Sequence, residues 1–123
     1  MPRLTAGVDL GGTKIQTVVL RQRKVVGSSR APTPATGADA VVAAIAETVT
    51  TAISAAGASS ADLAGVGIGS PGTIDTKRGT VGNSPNVPGF EAALVPLGPA
   101  VSNALGAVDV RLDNDVRVAM CVA

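Results

Sequence analysis

From Val42 to Ala56 the apolar residues return at steps of three and four: Val42, Ile45, Ala46, Val49, Ala52, Ile53 and Ala56. Glu47, Thr50, Thr51 and Ser54 fall on the opposite side. That spacing predicts an amphipathic helix of about five turns. Thr36-Gly37-Ala38-Asp39 precedes it with capping-box spacing, and Gly57 supplies a stop. A helix with one apolar face must bury it against a sheet or further helices. The chain has the material for such a core, with 46% hydrophobic and only 15% charged residues, which excludes a disordered composition.

The segments around the helix read as strands. Leu4 to Leu10 and Ile15 to Leu20 are short apolar runs separated by Gly11-Gly12-Thr13, the pattern of a β-hairpin. Val25-Val26 opens a third run, and Arg30-Ala31-Pro32-Thr33-Pro34 leads outward, since its prolines exclude helix interior. Leu63 to Ile68 reads as a strand. A Gly/Pro/Asn-rich stretch from Gly69 to Gly89 follows, with a small extended excursion at Thr80-Val81. Pro96 and Pro99 bracket a helix start, with Ala100 to Leu105 as its helical part. Val108 to Leu112 alternates as a strand, and Asp113 or Asn114 would cap a last helix to Ala123. The predicted order is β-β-β-α-β-α-β-α, which implies an α/β fold, a mixed sheet with helices on its faces. Residues 1–123 form one domain or lobe. The closing run Val116 to Ala123 ends without a cap, which predicts a piece of something longer.

Composition removes several classes of function. One Cys and no His leave no internal disulfide framework and no Cys/His zinc site. Ten basic and nine acidic residues give a net charge of +1 without a basic block, so no nucleic-acid partner is expected. No apolar run approaches a membrane span, and the first residues lack a signal-peptide core. The expectation is a soluble, cytoplasmic protein with no membrane partner.

Four segments carry chemistry. Asp9-Leu10-Gly11-Gly12-Thr13-Lys14 puts a glycine turn at a strand end. Its backbone N–H groups, the Thr13 hydroxyl and the Lys14 ammonium suit phosphate oxygens, and Asp9 suits Mg²⁺ held through water. An ordinary hairpin turn explains the same residues. Gly67-Ile68-Gly69-Ser70-Pro71-Gly72 matches G-x-G-x-x-G in form, but Pro71-Gly72-Thr73 does not open a helix, so a dinucleotide fingerprint is rejected. A turn presenting backbone to a small polar ligand fits better. Asn83-Ser84-Pro85-Asn86-Val87-Pro88-Gly89-Phe90 is a stiffened loop whose amides suit hydroxyls; read alone it is a surface loop. Leu112-Asp113-Asn114-Asp115 follows a strand, where a carboxylate either caps a helix or accepts a proton from a substrate hydroxyl. Cys121 has no His to activate it and reads as a helix residue.

In this order, Gly7 to Lys14, Gly67 to Gly72, Ser84 to Phe90 and Asp113-Asn114-Asp115 resemble the N-terminal lobe of the repressor–ORF–kinase (ROK) family of sugar kinases and sugar-responsive repressors. The resemblance implies a ribonuclease-H-like, actin-like ATPase lobe, with a second lobe absent from these residues. It implies ATP and Mg²⁺ as cofactors and a hexose as substrate. Asp9, Gly11, Gly12, Thr13 and Lys14 would line the phosphates and the metal, and Gly72 and Asn86 would border the sugar. Asn114 would bind a sugar hydroxyl, and Asp115 would be the general base. Asp113 stands where the family usually has Glu, Phe90 where it has Trp, and Arg117 where many kinases carry Asn. The expected activity is glucokinase-like phosphorylation of a hexose, with the isolated lobe inactive and a homo-oligomer or a missing C-terminal lobe completing it. The alternatives are a sugar-sensing regulator and a non-catalytic oligomerising lobe. The residues leave open which hexose is used, and whether ATP or polyphosphate is the donor.

Overall fold

The computed structural model describes residues 4–70, 73–75, 79–82 and 95–113. In chain order they form β1 (Leu4–Leu10), β2 (Lys14–Arg21), β3 (Lys24–Pro32), α1 (Ala38–Ala55), a short 3-10 turn (Ser60–Asp62), β4 (Leu63–Gly69), β5 (Thr73–Asp75), β6 (Thr80–Gly82), α2 (Leu97–Ala104) and β7 (Val110–Asp113). Five strands make one mixed sheet in the order β3-β2-β1-β4-β7, and β5 and β6 form a separate ribbon. The first three strands pair antiparallel, whereas β1–β4 and β4–β7 are parallel.

The α/β class and mixed sheet are as predicted, with local differences. The Thr80-Val81 excursion is one arm of a two-stranded ribbon whose other arm, β5, the sequence reading lacks. β3 runs to Pro32 because it lies at the sheet edge, where a missing N–H breaks no ladder bond. α2 starts at Leu97, earlier than Ala100, with Pro99 in its first turn, where backbone N–H groups have no helical partner. The last helix expected after Asp113 lies outside the described residues.

α1 is the predicted amphipathic helix, with a modified start and face. Gly37, at φ 129, occupies the N-cap position and no side chain caps it. Asp39 therefore sits one residue too early for a capping box and acts only as a carboxylate in the first turn, where the helix dipole favours it. The stop is as expected. Gly57 at φ 73 donates to Ser54 O, and Ala58 N donates to Ile53 O, the two bonds of a Schellman motif. The buried residues are Val41, Ile45, Thr48, Val49, Ala52 and Ile53, so the core face is turned toward Val41 and Thr48. Val42, Ala46 and Ala56 pack at its rim. Thr48 is tolerated there because its hydroxyl accepts from Thr17 Oγ1 at 3.1 Å and donates to Ile45 O at 2.8 Å. With 18 residues and a mean hydropathy of 1.4, α1 is long and apolar enough to cross a membrane, contrary to the sequence reading. Here its apolar side packs on β2 and β3.

Both crossovers, β3 to β4 through α1 and β4 to β7 through α2, step the same way along the sheet. Right-handed connections then place both helices on one face, where they touch. Leu4, Ala6, Val8 and Leu10 of β1, Ile15, Thr17 and Val19 of β2, and Val66 and Ile68 of β4 are buried. Their registers put them together on the helix side. Strand alternation sends Thr5, Gly7 and Asp9, and in register with them Gly65, Gly67 and Gly69, to the other face.

A candidate functional site at the carboxyl ends of parallel strands

β1, β4 and β7 run parallel and finish together. Asp9 is in register with Gly69, and Gly69 with Asp113. Across the antiparallel half, Asp9 is in register with Gln16, and Gln16 with Arg30. One row, Arg30–Gln16–Asp9–Gly69–Asp113, thus crosses all five strands near the end where an open α/β sheet binds ligands. Asp9 is half-buried at the last position but one of β1.

Beyond Leu10 the chain turns through Gly11-Gly12-Thr13 into Lys14. Gly11 N donates to Lys14 O at 3.0 Å. Neither Gly11 nor Gly12 has positive φ, so the hairpin is as predicted but is not a left-handed turn. Glycine at 11 serves close approach: a Cβ there would stand 3.1 Å from Lys14 O. Thr13 and Lys14 are exposed, with hydroxyl and ammonium open to an anion. The turn is tied from outside. Thr33 Oγ1 donates to Gly11 O at 2.7 Å, and Thr33 N donates to Thr13 O at 3.0 Å. The sequence reading had no role for Thr33. Its signal was the flanking pair Pro32 and Pro34, which restrict the backbone around it.

The glycine motif behaves as its composition implied. β4 ends at Gly69, buried Ser70 follows, and the next described element is the strand Thr73–Asp75. With no helix opening there, the dinucleotide reading stays rejected. Gly72, Asn86, Asn114 and Asp115 lie outside the described residues.

These residues suit phosphate: a glycine turn narrowed by a backbone contact, with an exposed hydroxyl and ammonium beside it. For a divalent cation the described residues offer Asp9 and no cluster of three acidic, His or Cys side chains. One carboxylate suits Mg²⁺ that keeps most of its waters.

Sheet order, same-side crossovers and a glycine turn at the end of β1 define an α/β lobe of the ribonuclease-H-like, actin-like ATPase class. Comparison with known proteins agrees. The ROK family profile matches residues 5–122. A glucokinase of Streptomyces coelicolor is 35% identical over 117 residues, covering 94% of this chain and 34% of the relative. An N-acetyl-D-glucosamine kinase of Salmonella typhi is 40% identical over 112 residues, covering 90% and 34%. The structure of a ROK family glucokinase from Streptomyces griseus, in complex with glucose and AMPPNP, superposes with a TM-score of 0.75 at 35% identity, covering 90% of this chain and 33% of that one. The chain belongs to the ROK family. It spans about a third of the length of the curated relatives it matches.

Proposed function

We propose that the protein is an ATP-dependent hexose kinase, glucokinase-like, of which residues 1–123 are the N-terminal lobe. The observation that carries this reading is the register row that brings Asp9 and Asp113 to either side of Gly69, beside a glycine turn fitted for phosphate. Sugar-kinase relatives on both sides of the glucose and N-acetylglucosamine divide support the class of reaction. ATP with Mg²⁺, when bound, supplies the phosphoryl group and the charge that neutralises its transfer.

The chain's own residues position and deprotonate. The Gly11-Gly12 backbone, Thr13 and Lys14 hold donor phosphates, and Asp9 orients the metal's water shell. Gly72, Asn86 and Asn114 hold the sugar's hydroxyls. Asp115, two residues beyond the end of β7, accepts the proton of the attacking hydroxyl, the 6-OH of a hexose. Phosphoryl transfer needs little more from a protein than this positioning and charge.

The test is a coupled assay of the intact protein with Mg-ATP and a panel of hexoses. ADP release that requires a hexose is expected, with none from residues 1–123 alone. Operator binding without hexose-dependent ADP release would instead place the protein among the regulators.

A further inference from the structure

β3 is the outer strand of the sheet, and no described strand pairs beyond it. One bond fixes which of its backbone groups face outward. Thr33 N donates to Thr13 O at 3.0 Å, so Thr13 and Thr33 are a hydrogen-bonded pair. Bonded and non-bonded pairs alternate along an antiparallel ladder. Ile15–Ala31 and Thr17–Ser29 are therefore bonded, whereas Ser28, Arg30 and Pro32 turn their backbone groups away from β2. Pro32, which has no N–H, falls where the ladder uses none. Ser28 and Arg30 each present an N–H and a C=O, clear of the register shift at Val19 and Leu20.

A groove runs beside this edge. About 370 Å³ of space lies between residues 29–32 of β3 and Ala44, Glu47, Thr48 and Thr51 of α1. Ser29 is in register with Thr17, whose hydroxyl reaches Thr48, so Ser29 and Ala31 are on the α1 side. Ser28, Arg30 and Pro32 are exposed on the opposite face. The two faces differ in charge. On the α1 side stands exposed Glu47, which makes no ion pair among the described residues. On the other, Arg30 is in register with Gln16, and neither β2 nor β3 contains an acidic residue.

We infer that the outer edge of β3 is a docking site for an extended segment of a partner protein, one that adds to the sheet as an antiparallel strand and alternates acidic with basic side chains. The outward N–H and C=O groups of Ser28 and Arg30 hold its backbone, and the groove takes alternate side chains. Directly opposed residues share a face, so an acidic guest side chain meets Arg30. The next residue of the guest points to the α1 side, where a lysine or arginine reaches Glu47 across the groove. Lys24, Arg30 and Pro32 guard the edge against unspecific pairing, but the charged guards are of one sign and admit an acidic side chain. A second copy of β3 fits poorly, since it brings no acidic residue to Arg30.

The experiment titrates the intact protein with a short synthetic peptide of alternating glutamate and lysine and follows amide hydrogen exchange residue by residue. Two control peptides share its composition: one carries the acidic and basic residues in separate blocks, and the other is N-methylated throughout. The alternating peptide should slow exchange at Ser28 and Arg30 by roughly ten-fold or more, leaving Ser29 and Ala31, already bonded to β2, unchanged. Both controls should bind about ten-fold more weakly or worse. Glu47→Gln and Arg30→Gln should each weaken the alternating peptide about two- to five-fold, an effect that high salt removes. No binding at millimolar peptide, or unchanged exchange at Ser28 and Arg30 under saturation, overturns strand addition, as does equal binding of the N-methylated peptide. Equal binding of the block peptide overturns the two-faced charge match. Protection of Ser28 and Arg30 before any peptide is added, in a monomer or a dimer, shows the edge covered by the protein itself and overturns the partner.

Discussion

Asp9 and Asp113 stand in one register row with Gly69 between them, at the ends of three adjacent parallel strands. Neighbouring strands lie about 4.8 Å apart, so their backbones are roughly 10 Å from each other. Between backbones, a gap of that size leaves room for a phosphate group. Asp113 still belongs to the β7 ladder. The proposed base is the next carboxylate, Asp115.

That proposed division of labour predicts unequal effects in the intact protein. Asp115→Asn should lower kcat by about 10²–10⁴-fold with little change in sugar KM, as loss of a general base does. Asp113→Asn should cost far less. Steady-state kinetics of the two variants decide it, and the reverse ranking would move the base to Asp113.

Thr33 should act through the turn it holds. Its hydroxyl is the side-chain tie on Gly11 O, at 2.7 Å. Thr33→Val removes that bond and should raise the KM for the phosphate donor several-fold, leaving the sugar KM alone. Thr33→Ser keeps the hydroxyl and should restore the wild-type value. A purely structural role predicts a lower melting temperature, with both KM values moving together and no special rescue by Ser.

At Gly27 β3 lies tight against the last turn of α1. A Cβ on it would run into Ala52 O, which already accepts from Ala56 N at 3.1 Å in the last turn of the helix. Neither the strand nor the carbonyl can yield without disturbing the C-cap. Gly27→Ala should therefore destabilise the fold by about 1–3 kcal/mol, the range for overpacking a closed contact. Urea unfolding measures it, and a change within about 0.5 kcal/mol, the ordinary range for surface substitutions, would show that the layers separate easily.

The elements legible from sequence were those with a local signature. The helix period marked α1 and Gly57 its end, and short apolar runs marked β1, β2 and β4. Residues whose role depends on distant partners were not legible. Thr48 reads as a polar interruption until Thr17, thirty-one residues away, supplies its hydroxyl. Thr33 reads as linker until β3 returns it to the first turn. Gly27 reads as a strand defect until α1 is laid across it. In the site, Asp9 and the glycine turn were found by composition, but their alignment with Gly69 and Asp113 is a matter of register, which no local pattern encodes.

The tip of the β2–β3 hairpin carries the clearest conflict between local preference and fold. Arg21 and Lys24 pair across a two-residue loop, and the loop residues Gln22 and Arg23 sit at φ 51 and 67. Both positive values mark a type I′ turn, whose twist suits the hairpin but whose residues are normally Asn and Gly. Left-handed backbone costs an ordinary L residue roughly 1 kcal/mol or more, because Cβ crowds the neighbouring carbonyl. Gln22→Asn with Arg23→Gly should therefore stabilise the protein by about 1–2 kcal/mol in chemical denaturation, without altering the register of β2 on β3.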